Sequence, residues 1–189
     1  MKKLISAVLA LTLVLTITAC GGKKAEATEP AVQAPASALE VLETVWAMYG
    51  ADEKFAVIGG DMGNPVNDAP GNYDLADENI SYTLLVPADQ LGNITEAASM
   101  IHMMNANTFT CGVFRLAEGV SAADFGNAMK DAVMNNRWMC GFPETLVIQN
   151  IADTYVLVAF GVNDAINPFM TYLNASYPQS VNLVKEAIA

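Results

Sequence analysis

The chain has 189 residues, of which 53% are hydrophobic and 15% are charged, and its formal net charge is −11. This apolar content is too high for a wholly disordered chain, and the length fits a single domain. Nucleic-acid binding needs clustered Lys and Arg, so nine such residues against twenty Asp and Glu argue against that function. Three cysteines are too few for a fold built on disulfides.

The N-terminus has the layout of a secretory signal peptide that ends in a lipobox. Lys2 and Lys3 form a positive start, and the uncharged apolar stretch after them is shorter than the roughly 20 residues of a membrane-spanning helix. Residues 17–20, Ile-Thr-Ala-Cys, then resemble a bacterial lipobox, whose cysteine is acylated and becomes the first residue of the mature protein. We predict that residues 1–19 are removed and that Cys20 anchors the protein to the outer face of the cell membrane. The alternative is an ordinary signal peptide followed by a chance cysteine.

Residues 20–36 are predicted to comprise the lipidated cysteine and a flexible tether. Small, polar and proline residues follow one another there without apolar periodicity. Residues 37–189 then suffice for one domain with a sizeable core. This domain carries five Lys and Arg against eighteen Asp and Glu, a formal charge of −13. Such a field repels anionic lipid and attracts cations.

The domain is predicted to begin with an amphipathic helix and a long loop. Ser37 and Glu40 form a capping box, and apolar residues recur at helical spacing until Gly50. A short apolar run at 55–58 precedes the segment 59–79, which is rich in Gly, Pro, Asn and Asp. A connection of that length is unusual unless it binds something or is mobile.

Two β-hairpins are predicted in the middle of the chain. The segment 98–104 fits both helical and strand periodicity. We assign a short helix to 88–96 and a hairpin to strands 98–104 and 108–116, because Asn-Ala-Asn between them is good turn sequence. A second hairpin is assigned to 145–151 and 155–161.

Helices are predicted to connect and follow the hairpins. Ser121 is expected to cap the connecting helix, which ends near Gly141. Asn167-Pro168 is expected to open another helix with proline at its first position, and residues 180–189 to form a short, fraying helix. The fold class that results is α+β: two hairpins form a four-stranded, mainly antiparallel sheet, joined by a helix and packed with flanking helices on one or both faces.

Two segments of the chain resemble a known group of proteins. They are residues 100–110, Met-Ile-His-Met-Met-Asn-Ala-Asn-Thr-Phe-Thr, and residues 137–143, Arg-Trp-Met-Cys-Gly-Phe-Pro. With the strand sequence Tyr-Val-Leu-Val at 155–158 they resemble uncharacterised lipoproteins of Gram-positive anaerobic bacteria that carry a domain of unknown function. Some members are labelled bacteriocin transport accessory proteins. The resemblance extends over residues 38–175; it implies a location and a fold, and carries no catalytic residues.

Cys111 and Cys140 are the cysteines that remain once Cys20 is lipidated. An even pair outside the cytoplasm favours a disulfide. Two buried thiols would also pack well as small hydrophobes, and the anaerobic habitat that the resemblance implies favours reduction. The sequence leaves both states open.

Two sets of side chains are candidate metal ligands. The first offers the hard oxygen donors that Ca²⁺ prefers, although without the EF-hand spacing. Its members are Asp61, Asp68, Asp74, Asp77 and Glu78. The second is His102 with Met100 and Met104, whose soft donors suit Cu(I). The alternatives are a solvated loop for the first set and core residues for the second.

Trp46, Trp138 and Phe142 either close the core or form an aromatic patch for a partner. Our leading hypothesis is a membrane-anchored, extracytoplasmic binding or accessory module, without catalysis or cofactor, that binds an unknown protein or small molecule. One alternative is an extracytoplasmic hydrolase or Ca²⁺-dependent enzyme that uses the 59–79 loop. Another is a soft-metal module that binds copper.

Overall fold

The computed structural model describes residues 34–188; the predicted signal peptide, Cys20 and most of the tether lie outside this range. The strands are β1 (Val57–Gly59), β2 (Val66–Asn67), β3 (Gly71–Tyr73), β4 (Ile94–His102), β5 (Phe109–Leu116), β6 (Thr145–Ile151), β7 (Tyr155–Gly161) and β8 (Val181–Ala187). The helices are α1 (Ala38–Ala47), α2 (Ile80–Thr83), α3 (Ala122–Met134) and α4 (Asn163–Ser176), and a 3-10 helix spans Ala88–Asn93. Among the described residues, no helix has the length and apolarity to cross a membrane.

The strands form one eight-stranded antiparallel sheet, so the predicted four-stranded sheet is wrong. The order is β2-β1-β4-β5-β7-β6-β8, and β3 pairs with the same edge of β4 as β1 does. Both predicted hairpins are present at its centre, as β4–β5 and β6–β7. The additional strands escaped prediction because β1, β2 and β3 span only two or three residues each, too few for an alternating pattern to show.

The last strand replaces a predicted helix. Residues 181–187 pair with β6, although Leu183, Lys185, Glu186 and Ala187 all favour helix. The pairing overrides this preference, because among residues 34–188 β8 is the strand that covers the outer edge of β6. Lys130 of α3 also forms an ion pair with Glu186. The predicted helix at 88–96 is likewise shorter, since β4 already begins at Ile94.

Helices cover both faces of the sheet. Successive residues of β7 alternate between two buried clusters, as the period of a strand requires. Tyr155, Leu157 and Ala159 pack towards α1 and α4. Val156, Val158 and Phe160 pack towards α2 and α3. Every residue of β7 is buried, so this strand lies at the centre of a three-layer domain.

The helix starts follow two of the three predictions. Ser37 accepts a hydrogen bond from the amide of Glu40 at 3.0 Å, and Ser121 accepts one from Asp124 at 3.2 Å, as N-caps. The third prediction was wrong, because α4 begins at Asn163 and Pro168 lies inside it. Proline is tolerated there since its side chain is exposed, and the carbonyl group it leaves unpaired can face water.

Candidate functional site

The two segments that carry the family resemblance meet at one end of the sheet. The first includes the β4–β5 turn, residues 103–108, and the second lies within the α3–β6 loop, residues 135–144; we call these the joined loops. The side-chain amide of Asn105 donates to the carbonyl of Cys140 at 2.8 Å. The side-chain amide of Asn107 donates to the carbonyls of Met139 at 2.8 Å and Gly141 at 2.9 Å. Two asparagines therefore hold three consecutive carbonyl groups of the other loop.

The hydrogen bonds between the loops depend on an unusual backbone conformation at Cys140 and Gly141. Cys140 and Gly141 have φ angles of 61° and 127°, and the second is accessible almost only to glycine. A Cβ atom at Gly141 would lie 3.0 Å from Nδ2, the side-chain amide nitrogen of Asn105. Any other residue at 141 would therefore strain the backbone and crowd the hydrogen bond that joins the loops.

His102 stabilises the β4–β5 turn. Its Nδ1 atom accepts hydrogen bonds from the backbone amides of Met104 at 3.2 Å and Asn105 at 3.3 Å. Its ring stacks on Phe55 with a centroid distance of 5.6 Å. An Nδ1 atom occupied in this way is not free to bind a metal.

The joined loops expose four large apolar side chains, which we call the Met–Phe surface. The exposed fractions are 41% for Met103, 82% for Met104, 77% for Met139 and 71% for Phe142. Single exposed apolar residues are normal on a protein surface, whereas clustered ones mark sites of interaction. All four belong to the two loops that the asparagine hydrogen bonds join, so they lie at the same end of the sheet.

Trp138 attaches the Met–Phe surface to the core. Its ring packs on Phe160 of β7 with a centroid distance of 5.3 Å. Its indole N–H is buried and has no hydrogen-bond partner within residues 34–188. The α3–β6 loop is thus held to the core by the contact of Trp138 with Phe160, and to the β4–β5 turn by the asparagine hydrogen bonds.

The predicted aromatic patch is not assembled. Trp46 is only 5% exposed, belongs to the cluster on the opposite face of the sheet from Trp138, and donates a hydrogen bond to the carbonyl of Asp68 at 3.2 Å. Trp138 is half-buried, and Phe142 alone of the three is largely exposed. The exposed methionines of the joined loops were not part of the predicted patch.

The two cysteines of the domain are free thiols, and the disulfide that the sequence allowed is absent between them. Cys111 lies in β5 without exposed surface, and burial raises the pKa of its thiol. Cys140 is exposed in the joined loops. One thiol of the pair therefore lies in the core and the other at the surface.

Asp61 organises the acidic segment 59–79 from within. It is 6% exposed, and its Oδ1 atom accepts hydrogen bonds from the amides of Gly63 and Asn64, both at 2.8 Å. Its Oδ2 atom accepts from the amide of Asp74 at 3.2 Å. Burial acts to raise the pKa of this carboxyl, but the hydrogen bonds outweigh it and the pKa lies below its ordinary value.

Asp77 has a similar structural role. Its carboxylate accepts from the backbone amide of Asn79 at 2.9 Å and from the hydroxyl of Tyr73 at 3.4 Å. Chiefly because of the bond from Asn79, the pKa of Asp77 is lowered. Asp74 accepts from the amide of Ala76 at 2.9 Å.

The candidate metal ligands do not converge. The part of the chain that the structure describes has no group of three or more His, Cys, Asp or Glu side chains placed to hold a metal ion. Asp68 has a left-handed φ of 57°, and Glu78 is exposed. Of the soft set around His102, Met100 is wholly buried, whereas Met104 is largely exposed.

Comparisons with protein-family models, with curated proteins and with solved structures gave no match. The resemblance to bacterial lipoproteins, the lipid anchor and the location therefore remain predictions. The sequence predicted the Asn-Ala-Asn turn but not the contact of Asn105 and Asn107 with residues 139–141. The available signal was the density of large apolar residues in two segments that are otherwise loops.

Proposed function

We propose that the protein is a lipid-anchored, extracytoplasmic binding module whose Met–Phe surface docks a basic, amphipathic segment of a partner protein. The observation that carries this proposal is the exposure of four large apolar side chains on loops that hydrogen bonds hold together.

The chemistry of the Met–Phe surface suits an apolar protein segment. Methionine and aromatic residues are enriched at the centres of protein interfaces. Methionine is unbranched and polarisable, so it adapts to partners of different shape. Complete burial of a Met or Phe side chain contributes about 1.5–3 kcal/mol, from which the costs of association are subtracted. Because the four side chains are already partly buried, this surface by itself supports a weak, reversible interaction.

The charge of the domain selects a basic partner. The joined loops themselves carry one cation, Arg137, and one carboxylate, Glu144. Around this nearly neutral centre the domain as a whole has a charge of −13, from five basic and eighteen acidic residues. A field of that sign attracts cationic segments and repels acidic ones. A helix with one apolar and one basic face satisfies both the surface and the field.

Binding of a designed peptide tests the docking proposal. A fourteen-residue amphipathic Leu/Lys peptide is titrated into the purified protein by calorimetry, with a Leu/Glu peptide of the same apolar spacing for comparison. We expect the basic peptide to bind at least about tenfold more tightly than the acidic one. The variant Phe142→Ser should weaken binding about tenfold, since it removes the largest apolar contact. Equal binding of the two peptides would contradict the proposal.

Tyr82→Ser is the matched control, because Tyr82 is 84% exposed and lies outside the joined loops. It should leave peptide affinity within about twofold of the original. The same loss in both aromatic variants would show that the Met–Phe surface has no special role.

The lipid anchor is tested separately. Expression in a bacterial host with radiolabelled palmitate should label the chain, and Cys20→Ser should abolish the label. Equal labelling of both chains would exclude acylation at Cys20, without bearing on the Met–Phe surface.

A further inference from the structure

A cavity of about 200 Å³ lies beside the sheet, and no residue of the Met–Phe surface lines it. Ile58 of β1 and Ile101 of β4, which are partners in the sheet, both line it. Met62 and Pro65 line it from the loop after β1, and Thr83 lines it from α2. Most of the lining is apolar, with Asp61 as the one charged residue.

The volume limits the ligand. Pockets for drug-sized ligands occupy about 300–1,000 Å³. An apolar cavity of about 150 Å³ already binds benzene. The cavity beside Ile58 and Ile101 therefore has room for a single or fused aromatic ring.

One wall of the cavity is built from closely packed backbone. A Cβ atom at Gly59 would lie 2.2 Å from the backbone nitrogen of Gly71, so the two chain segments are in direct contact. The carbonyl of Gly60 accepts a buried hydrogen bond from the hydroxyl of Ser99 at 2.9 Å. A cavity with such a wall is formed before the ligand arrives, which lowers the entropic cost of binding.

The electrostatic surroundings favour a cationic head group. Asp61 is held as a carboxylate by amide hydrogen bonds, and within residues 34–188 it has no ion pair with Lys or Arg. A second carboxylate is close by, since the amide of Met62 donates to Asp77 at 3.4 Å. The negative charge at the cavity is therefore not neutralised by a neighbouring cation.

We propose that this cavity binds a small molecule that consists of one aromatic ring system and a cationic amine. The ring occupies the space lined by Ile58 and Ile101, and the amine lies on the side of Asp61. This binding site is independent of the docking surface, so either proposal can fail without the other.

Three probes with one ring system test the proposal on the intact protein. They are tryptamine, which is cationic, indole, which is neutral, and indole-3-acetate, which is anionic. Binding is followed by amide chemical shifts in NMR titrations up to millimolar concentration, the affinity range expected for ligands of this size. We expect tryptamine to bind roughly tenfold more tightly than indole-3-acetate, with the largest shifts at Gly60, Met62 and Ile101. Absence of binding by all three probes, shifts elsewhere, or equal binding of tryptamine and indole-3-acetate would overturn the proposal.

Substitutions locate the site. Ile58→Phe places a larger side chain in the cavity and should weaken binding of all three probes at least about fivefold. Val66→Phe is the matched control, because Val66 is partly exposed on the neighbouring strand and does not line the cavity. Asp61→Asn should remove most of the preference for tryptamine over indole. Thermal unfolding reports whether each variant folds, and if Ile58→Phe does not, the probe series on the unmodified protein decides.

Discussion

Substitution of Asn107 by alanine is expected to loosen the joined loops. The side-chain amide of Asn107 donates two hydrogen bonds, to the carbonyls of Met139 and Gly141, and Asn107→Ala removes both. A hydrogen bond contributes about 0.5–1.5 kcal/mol net, and carbonyl groups this close to the surface regain water. The free energy of unfolding should therefore fall by about 1–2 kcal/mol. For a domain of this size, that corresponds to a decrease in Tm of roughly 2–8 °C.

Thermal unfolding and amide hydrogen exchange measure the two consequences of Asn107→Ala. Exchange should accelerate at residues 139–142, because the loop opens locally more often than the domain unfolds. Affinity for the basic peptide should decrease as well, since the Met–Phe surface is no longer held in one arrangement. Asn136→Ala is the control: Asn136 lies in the same loop, and its side chain makes no hydrogen bond to the described residues. If both variants give the same Tm and the same exchange, Asn107 does not join the loops.

Three further predictions concern the thiols, the acidic segment and the core. Cys140 should react with a thiol reagent in the folded protein, whereas Cys111 should react only in denaturant; equal rates would contradict their placement in the structure. Because the pKa of Asp61 is lower in the folded chain than in the unfolded one, its contribution to stability is complete at neutral pH and decreases as the pH falls below about 4. Urea unfolding from pH 3 to pH 7 should therefore show a weaker pH dependence for Asp61→Asn. Trp46→Phe should lower the free energy of unfolding by about 1–3 kcal/mol, as it removes buried volume and the hydrogen bond to Asp68; a change below about 0.5 kcal/mol would show that Trp46 is dispensable for the core.

The central strands of the fold could be predicted because their sequences carry a local signal. β5, β6 and β7 consist largely of β-branched, aromatic and aliphatic residues over seven or eight positions. Their length allows alternation to show, and the short turns between partners fix the pairing. The caps at Ser37 and Ser121 were predictable for the same reason, since a cap is decided within four residues.

The remaining strands depend on contacts that are distant in sequence. β3 pairs with β4 across the segment that contains α2 and the 3-10 helix, and Gly71 and Asn72 give no strand signal by themselves. Residues 181–187 have helix-favouring composition, and only the open edge of β6 makes them a strand. In each case, tertiary pairing determines the local structure.

The candidate site was predictable only in its parts. The soft donors around His102 predicted a copper site, but the Nδ1 atom of His102 accepts hydrogen bonds from the backbone amides of Met104 and Asn105. The carboxylates of the segment 59–79 suggested a metal ion, but in residues 34–188 they do not converge on one, and Asp61 accepts hydrogen bonds from the backbone of its own loop. Polar side chains serve backbone amides as readily as ligands, and the sequence does not distinguish these uses.

The position of β8 has a consequence for chain synthesis and truncation. β6 pairs with β7 on one side and with β8 on the other, and β7 and α4 precede β8 in the chain. Until residues 181–187 have emerged, β6 is an edge strand that presents unpaired backbone groups. Nascent or truncated chains that stop before Val181 would therefore offer a template for intermolecular strand pairing. Loss of a short, mostly exposed strand at the periphery would then appear as aggregation rather than as a modest decrease in stability.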